Sequence, residues 1–357
     1  NKLMIVTDAI NLTGPERLMV TWDTGRRCNF DCSYCEISRH DNISSPHSYE
    51  ELLRTFKFVK EYTSIYSDLV NINFTGGEPT VNPAFWQLAE YIKNNETRFR
   101  LSLTTNGAWH PKNTDRITEL FEGVTVSYHT EGHSKLKQQT LDNIKLLHAK
   151  GIWLQVNVML HTDNWDEGVA VCEELKELGI THNPRPIGDG NAERKGWFTD
   201  SDGSQRRTTH DYTDEQQNWF FDYTNMPKPA VGTRAGTELG RKCCGGRCLK
   251  GKVNNEWQEV TMVDTHFKDW FCSVNKYFLH IDQHTGSVYH HQTCQALHNG
   301  LRGPLGNLSN TDAIIEYANT NKNETIVCPN LRCGCGMCVP KAKSFEDYKE
   351  IIKVQSY

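Results

Sequence analysis

Between Leu18 and Pro186 short apolar runs alternate with longer amphipathic stretches, and this alternation constrains the fold more than any other feature. The runs RLMVTWD, DLVNINF, FRLSLTT, GVTVSYH, IWLQVNVML and ITHNPRPI are rich in the β-branched and aromatic side chains that fit a pleated surface. Between them, YEELLRTFKFVKEY, NPAFWQLAEYIKN, KLKQQTLDNIKLLHAKG and WDEGVAVCEELKELG have helical patterning, and several end at glycine or asparagine, as helix C-termini often do. Six strand units in this order predict a parallel sheet with right-handed crossovers. The count suits an α/β fold of the partial (β/α)6 barrel kind better than a complete eight-unit barrel, with chemistry in the loops at the C-terminal strand ends.

The rest of the chain reads differently. From Gly188 to Gly240 it is polar and turn-rich, which fits either a cover over the site or a solvated linker. From Arg241 to Val339 it carries nine of the thirteen cysteines with little helical periodicity, and SFEDYKEIIKV then reads as a helix capped by Ser344 with Asp347 in the box position. The expected organisation is therefore a barrel over 1–187, a connector over 188–240, a small cysteine-rich α+β domain over 241–343 and a C-terminal helix over 344–357.

No run of about 18 apolar residues and no charged-then-apolar leader is visible, so the sequence predicts neither a membrane span nor secretion, and a cytoplasmic location. The net charge of −5 does not favour binding to nucleic-acid backbone. Without a secretion signal, thirteen cysteines gathered mainly in two regions read as metal or cluster ligands rather than disulfides. Cys172, on the apolar side of VAVCEELKEL, reads as a small core residue.

The first region, GRRCNFDCSYCE, follows the first strand directly and places Cys28, Cys32 and Cys35 on the catalytic rim. A closed structural metal site takes four protein ligands, whereas three thiolates leave one position open. A C-x3-C-x2-C loop can wrap three corners of a [4Fe–4S] cluster. CNFDCSYC, with Tyr34 before the third cysteine, resembles the signature of the radical S-adenosylmethionine (SAM) superfamily. The resemblance implies that the open iron chelates the amino and carboxylate groups of SAM.

A second match follows the second strand. Gly76, Gly77, Glu78 and Pro79 resemble the family's GGEP motif, whose backbone and glutamate hold the methionine amino group. Glycines allow close backbone approach and a carboxylate pairs with an ammonium. TTNG, ending in Asn106 and Gly107, resembles the third-strand motif, and the same template implies cofactor contacts for Asn106, for Ser127 at the SAM ribose, for Asn157 near the methionyl carboxylate and for Tyr34 against adenine. Ser127 and Asn157 read equally well as strand residues satisfied by backbone.

FCSVNKYFLHIDQHTGSVYHHQTCQ and the LGNL at Leu305 to Leu308 resemble the SPASM and twitch domains that follow many radical SAM barrels. That resemblance implies an auxiliary [4Fe–4S] cluster on Cys272, Cys294, Cys335 and Cys338. His291 stands where the family has a cysteine, and the full SPASM cysteine array is absent. Cys243, Cys244 and Cys248 are left to supply a ligand to that cluster, to join Cys328 and Cys333 in another metal site, or to donate a hydrogen atom to a substrate radical. Zinc is the alternative for the whole region, because the spacings serve it equally well.

The family's chemistry implies reductive cleavage of SAM to a 5′-deoxyadenosyl radical, which removes a hydrogen atom from an organic substrate. It also implies an external one-electron reductant such as flavodoxin or ferredoxin. Substrate groups belong on the same rim: His129 and Glu131 after the fourth strand, His161 after the fifth and Arg185 at the sixth. A ribosomally made peptide is the favoured substrate, in an oxidoreductase or related radical transformation. The alternatives are a small-molecule dehydrogenase or epimerase acting on a sugar, nucleotide or amino acid, and a non-catalytic iron–sulfur or zinc scaffold.

Overall fold

The six runs form parallel neighbouring strands, β1 (Leu18–Asp23), β2 (Val70–Thr75), β3 (Phe99–Thr105), β4 (Gly123–His129), β5 (Trp153–Leu160) and β6 (His182–Pro186). Each is followed by a helix: α1 (Tyr49–Ser64), α2 (Pro83–Asn95), α3 (Thr114–Leu120), α4 (Ser134–Ala149), α5 (Trp165–Glu177) and α6 (Asp214–Thr224). The structure, a computed structural model, describes residues 7–12, 17–35, 40–187, 196–199, 205–208, 212–225, 241–242, 249–260, 262–263, 267–292, 294–330 and 339–353. The sheet stays open, so the architecture is the α/β partial barrel that the alternation predicts.

Strand alternation divides the faces of this sheet. Val20, Trp22, Ile72, Phe74, Leu101 and Val126 share one buried core with Phe56, Phe85, Leu88 and Ile92 of the surrounding helices, and Cys172 of α5 lies in it too. The residues between them in β2 and β3 are polar. Asn71 donates to Ser102 Oγ at 3.1 Å and Asn73 to Thr104 Oγ1 at 3.2 Å. Apolar burial thus fastens the helices outside, while the inner face is left polar.

Local signals fix the helix starts. The Ser48 hydroxyl accepts from Glu51 N–H at 3.2 Å while Glu51 accepts from Ser48 N–H at 2.7 Å, the reciprocal cap of α1. Thr213 and Gln216 repeat the arrangement at α6. This sixth helix and a hairpin of Gly196–Thr199 with Gln205–Thr208 fall inside the span expected as connector. Tyr212 binds α6 to the barrel, its hydroxyl donating to Leu160 O at 2.6 Å and accepting from Ile187 N–H at 2.8 Å.

Beyond the barrel, β7 (Phe278–Asp282) pairs parallel with β1 and continues antiparallel into β8 (Ser287–Tyr289) and β9 (Gly306–Asn307), making one sheet of nine strands. The hairpin read as part of a separate auxiliary domain therefore covers the open edge of β1, whose backbone groups would otherwise lack partners. A second sheet of six strands takes Ala9–Leu12 from the start of the chain and pairs it with Leu249–Val253 and Lys341–Ala342; Phe271–Cys272 and Ile326–Val327 follow at its edge. Two longer helices follow late in the chain, α7 (Thr311–Asn321) and α8 (Phe345–Lys353). The Ser344 hydroxyl accepts from Asp347 N–H at 3.1 Å, and Tyr348 and Ile351 of α8 pack on Ala9 and Ala342. Among the described residues no helix is long and apolar enough to cross a membrane.

Candidate active site

The loops after β1 and β2 are joined backbone to backbone. Thr24 N–H donates to Thr75 O at 2.8 Å, Gly77 N–H to Gly25 O at 2.7 Å and Glu78 N–H to Arg27 O at 2.8 Å. A Cβ on Gly76, whose φ is +125°, would lie 2.7 Å from Gly25 O, and one on Gly77 would run into the carbonyl oxygens of Arg26 and Arg27. The paired glycines are therefore required first by the close contact between loops. On its other side the cysteine loop is held by Cys28 N–H to Asp41 O and Asp41 N–H to Arg26 O, both 3.0 Å.

These loops wall a cleft of about 220 Å³ at the C-terminal ends of β1 to β4. Cys28, Cys32 and Cys35 line it together with Phe30, Tyr34 and His40; Thr75, Gly76 and Gly77 close one side; Thr104, Thr105, Asn106, Ser127 and His129 close the other. Phe30 N–H points to Cys28 Sγ at 3.4 Å and Asn106 Nδ2 lies 3.8 Å from the same sulfur. Burial pushes the Cys28 and Cys32 thiols up to about 12, a desolvation cost that ligation to iron opposes by stabilising thiolate. Among the described residues no three His, Cys, Asp or Glu side chains are placed to hold a single metal ion. Three sulfurs spread around a cleft suit the corners of a cluster better than one ion, so the donor set fits the group that the cysteine spacing implies.

Other rim residues brace this wall. The Tyr34 hydroxyl is 2.6 Å from His129 Nδ1, and burial lowers His129 to about 4, keeping the imidazole neutral. Glu131 does not face the cleft. Its carboxylate accepts from Ser33 N–H and Ser33 Oγ, both at 2.8 Å, and lies 3.2 Å from His161 Nε2. Because His161 Nδ1 accepts from Asp163 N–H at 3.1 Å, the ring proton is on Nε2 and points at Glu131. Arg185 Nε donates to Asn157 Oδ1 at 3.4 Å, and Asn157 sits opposite Ser127 in the β4–β5 register; neither Asn157 nor Arg185 lines the cleft itself.

Glu78 stands behind the wall rather than in it. Its side chain accepts from Thr80 N–H at 3.1 Å, Thr80 Oγ1 at 2.6 Å, Thr105 Oγ1 at 2.8 Å and Asn106 N–H at 2.7 Å. A carboxylate so engaged ties the loop after β2 to the end of β3; three of these bonds fall on Oε1, and Oε2 takes the one from Asn106 N–H. Burial raises its pKa above the usual carboxylate range, and these hydrogen bonds oppose the rise. Glu78→Ala, which leaves buried donors unsatisfied, is expected to cost about 1–3 kcal/mol of stability. Denaturant unfolding checks this, and a variant of unchanged midpoint that loses only SAM affinity would return Glu78 to the ligand side.

His40, Thr104 and Thr75 were not singled out from the sequence. The two threonines occupy C-terminal strand ends, a position that flags them; His40, 3.1 Å from Phe30 O through Nε2, follows a loop with no such signal. In the second cysteine region, buried Cys272 and Cys294 share a cavity with Cys328. Cys335 and Cys338, like Cys243, Cys244, Cys248 and Cys333, lie outside the described residues. His291 packs edge-on to Phe278 with ring centroids 4.9 Å apart, and burial lowers it to about 4.

Residues 22–175 match the family described as the Radical SAM superfamily. The chain is similar to GTP 3',8-cyclase of Aquifex aeolicus, 26% identical over 168 residues, 43% of this chain and 52% of that protein. It is also similar to the antilisterial bacteriocin subtilosin biosynthesis protein AlbA of Bacillus subtilis, 22% identical over 177 residues, 46% of this chain and 38% of that protein. The matches thus span about half or less of these curated relatives. In fold it is similar to native anSMEcpe with bound AdoMet and Kp18Cys peptide, with a TM-score of 0.52, 15% identity, and coverage of 96% of this chain and 98% of that one. The cysteine-lined cleft falls within the matched segment, so residues 22–175 carry the radical SAM domain, and the cofactors that this domain implies are S-adenosylmethionine and the [4Fe–4S] cluster that binds it.

Proposed function

We propose that the chain is a radical SAM enzyme of oxidoreductase or related type that removes a hydrogen atom from a peptide substrate. The observation that carries the reading is the cleft in which three cysteine sulfurs face the two-glycine turn across the mouth of an open, polar-lined barrel. The bound cluster and SAM supply the one-electron cleavage and the radical. Cys28, Cys32 and Cys35 hold the cluster. The Gly76–Gly77 backbone, Asn106, Ser127 and Asn157 hold SAM, and Tyr34, paired with His129, covers the adenine. Arg185, oriented by Asn157, meets the substrate, and His129 shapes the rim. Glu131 acts as a positioning residue through Ser33, next in sequence to Cys32. An auxiliary cluster in the second cysteine region, an external flavodoxin or ferredoxin and a cytoplasmic setting complete the proposal.

Two likenesses support the peptide. The fold similarity to anSMEcpe, solved with a peptide, extends over both halves of the chain, and AlbA is named for bacteriocin biosynthesis. The cyclase similarity favours a nucleotide as the second reading. Deuterium transfer separates them. Reduced holoenzyme and SAM are incubated with a peptide digest or with the small-molecule fraction, each from cells grown in heavy water, and 5′-deoxyadenosine is weighed by mass spectrometry. Label arriving from the peptide arm is the expected result, and label arriving only from small molecules would overturn the peptide.

A further inference from the structure

We propose that Asn106 donates a hydrogen bond to the Cys28 thiolate and thereby holds up the reduction potential of the cluster that binds SAM. The inference rests on the radical SAM reading above and adds to it a task for Asn106 that does not pass through SAM.

Asn106 follows β3 directly, is 5% exposed and is held at its backbone as well as its side chain. Its N–H donates to Glu78 Oε2 at 2.7 Å, and its carbonyl accepts from Thr140 Oγ1 at 2.9 Å. Ala108 N–H can only donate, so the side-chain atom it meets at 2.9 Å is Oδ1, and this contact fixes which way the amide points. Nδ2 therefore turns to the cysteine loop. There it donates to Asn29 Oδ1 at 2.6 Å and lies 3.8 Å from Cys28 Sγ. An amide nitrogen carries two hydrogens, one for each of these acceptors.

Phe30 N–H reaches the same sulfur at 3.4 Å, so Cys28 Sγ is met by a backbone donor and a side-chain donor together. Burial pushes the Cys28 thiol up, and both donors oppose the rise, as groups that stabilise a thiolate do. A cluster held by thiolates gains one unit of negative charge on reduction, and a donor fixed against a ligand sulfur favours that reduced form and raises the potential. The electron from the external reductant then has a smaller step to climb. The Phe30 bond comes from the backbone and survives a change of side chain, whereas the Asn106 bond depends on the residue itself. In this task Asn106 acts through Cys28 and is a positioning residue.

The test uses the full chain, purified anaerobically with its cluster, in a redox titration followed by electron paramagnetic resonance, first without SAM and then at saturating SAM. Asn106→Leu, which has no donor, is expected to keep its iron and to lower the SAM-free potential, changing the oxidised-to-reduced ratio at fixed ambient potential about tenfold, or about 59 mV for one electron. Asn106→Asp keeps an oxygen for Ala108 N–H and sets another against Cys28 Sγ, so it is expected to lower the potential at least as far. A residue needed only for the turn would give the opposite order, because aspartate preserves the Ala108 bond and leucine does not. An unchanged SAM-free potential in iron-replete Asn106→Leu, or a wild-type potential in Asn106→Asp, overturns the proposal. So does a shift seen only with SAM bound, which would leave Asn106 as a SAM contact alone. If Asn106→Leu loses its iron, Asn106→Asp decides by the same reading. A wild-type cluster whose signal does not respond to SAM would instead overturn the radical SAM reading beneath the proposal.

Discussion

Cys32→Ala is expected to abolish SAM cleavage and to remove one cluster's iron, and Cys28→Ala and Cys35→Ala to do the same. Two thiolates cannot hold a cluster with its fourth iron turned to the ligand. The barrel should survive the change. Phe30, Cys32 and Tyr34 belong to a small apolar cluster with Ala108 and Ile187, separate from the main core built on Trp22, Phe74 and Phe85. Iron analysis with chromatographic detection of 5′-deoxyadenosine reads the loss, and circular dichroism reads the fold. Cleavage surviving in the triple alanine variant would remove the cysteine loop from the chemistry.

Gly77→Ala should come close to the same loss without touching a ligand. An added methyl meets the Arg26 and Arg27 carbonyls, so the loop after β2 must withdraw and give up the bonds Gly77 N–H to Gly25 O and Glu78 N–H to Arg27 O. Overpacking of this kind costs about 1–3 kcal/mol. Displacement of a catalytic wall by about 1 Å lowers turnover on the order of 10²-fold. Steady-state 5′-deoxyadenosine formation checks the rate and thermal unfolding checks the stability. Wild-type turnover in this variant would mean that the two loops do not need to meet.

The barrel was legible because its signals are local. Each of the six strands is a compact β-branched or aromatic run, and Ser48 with Glu51 announces α1. The helix α3, TDRITEL, is too short to show a period, and α6 was hidden in a polar span although its Thr213–Gln216 cap stands in the sequence. Non-local pairing was not legible. Nothing within KYFLHID tells that it joins β1 rather than a separate sheet, or that Ala9–Leu12 belongs with Lys341–Ala342.

The site divides along the same line. The cysteine spacing and the two glycines carry their meaning in sequence, because wrapping a cluster and close backbone approach depend on residues next to one another. The partners of Glu78, Glu131 and Cys328 come from other strands or loops. Glu78 reaches Thr105 and Asn106 on β3 and beyond it, Glu131 reaches Ser33, and Cys328 is set beside Cys272 by strand pairing. Residue type marked each as chemical, and only the fold tells what each one faces.

The most direct measurement is electron–nuclear double resonance on the reduced, SAM-bound protein, using SAM labelled with 15N in its methionyl amino group. Direct ligation of that nitrogen to the cluster held by Cys28, Cys32 and Cys35 predicts a resolved 15N coupling to the cluster spin, lost in Cys32→Ala. A fully reduced cluster that shows no 15N coupling at saturating SAM would contradict the account.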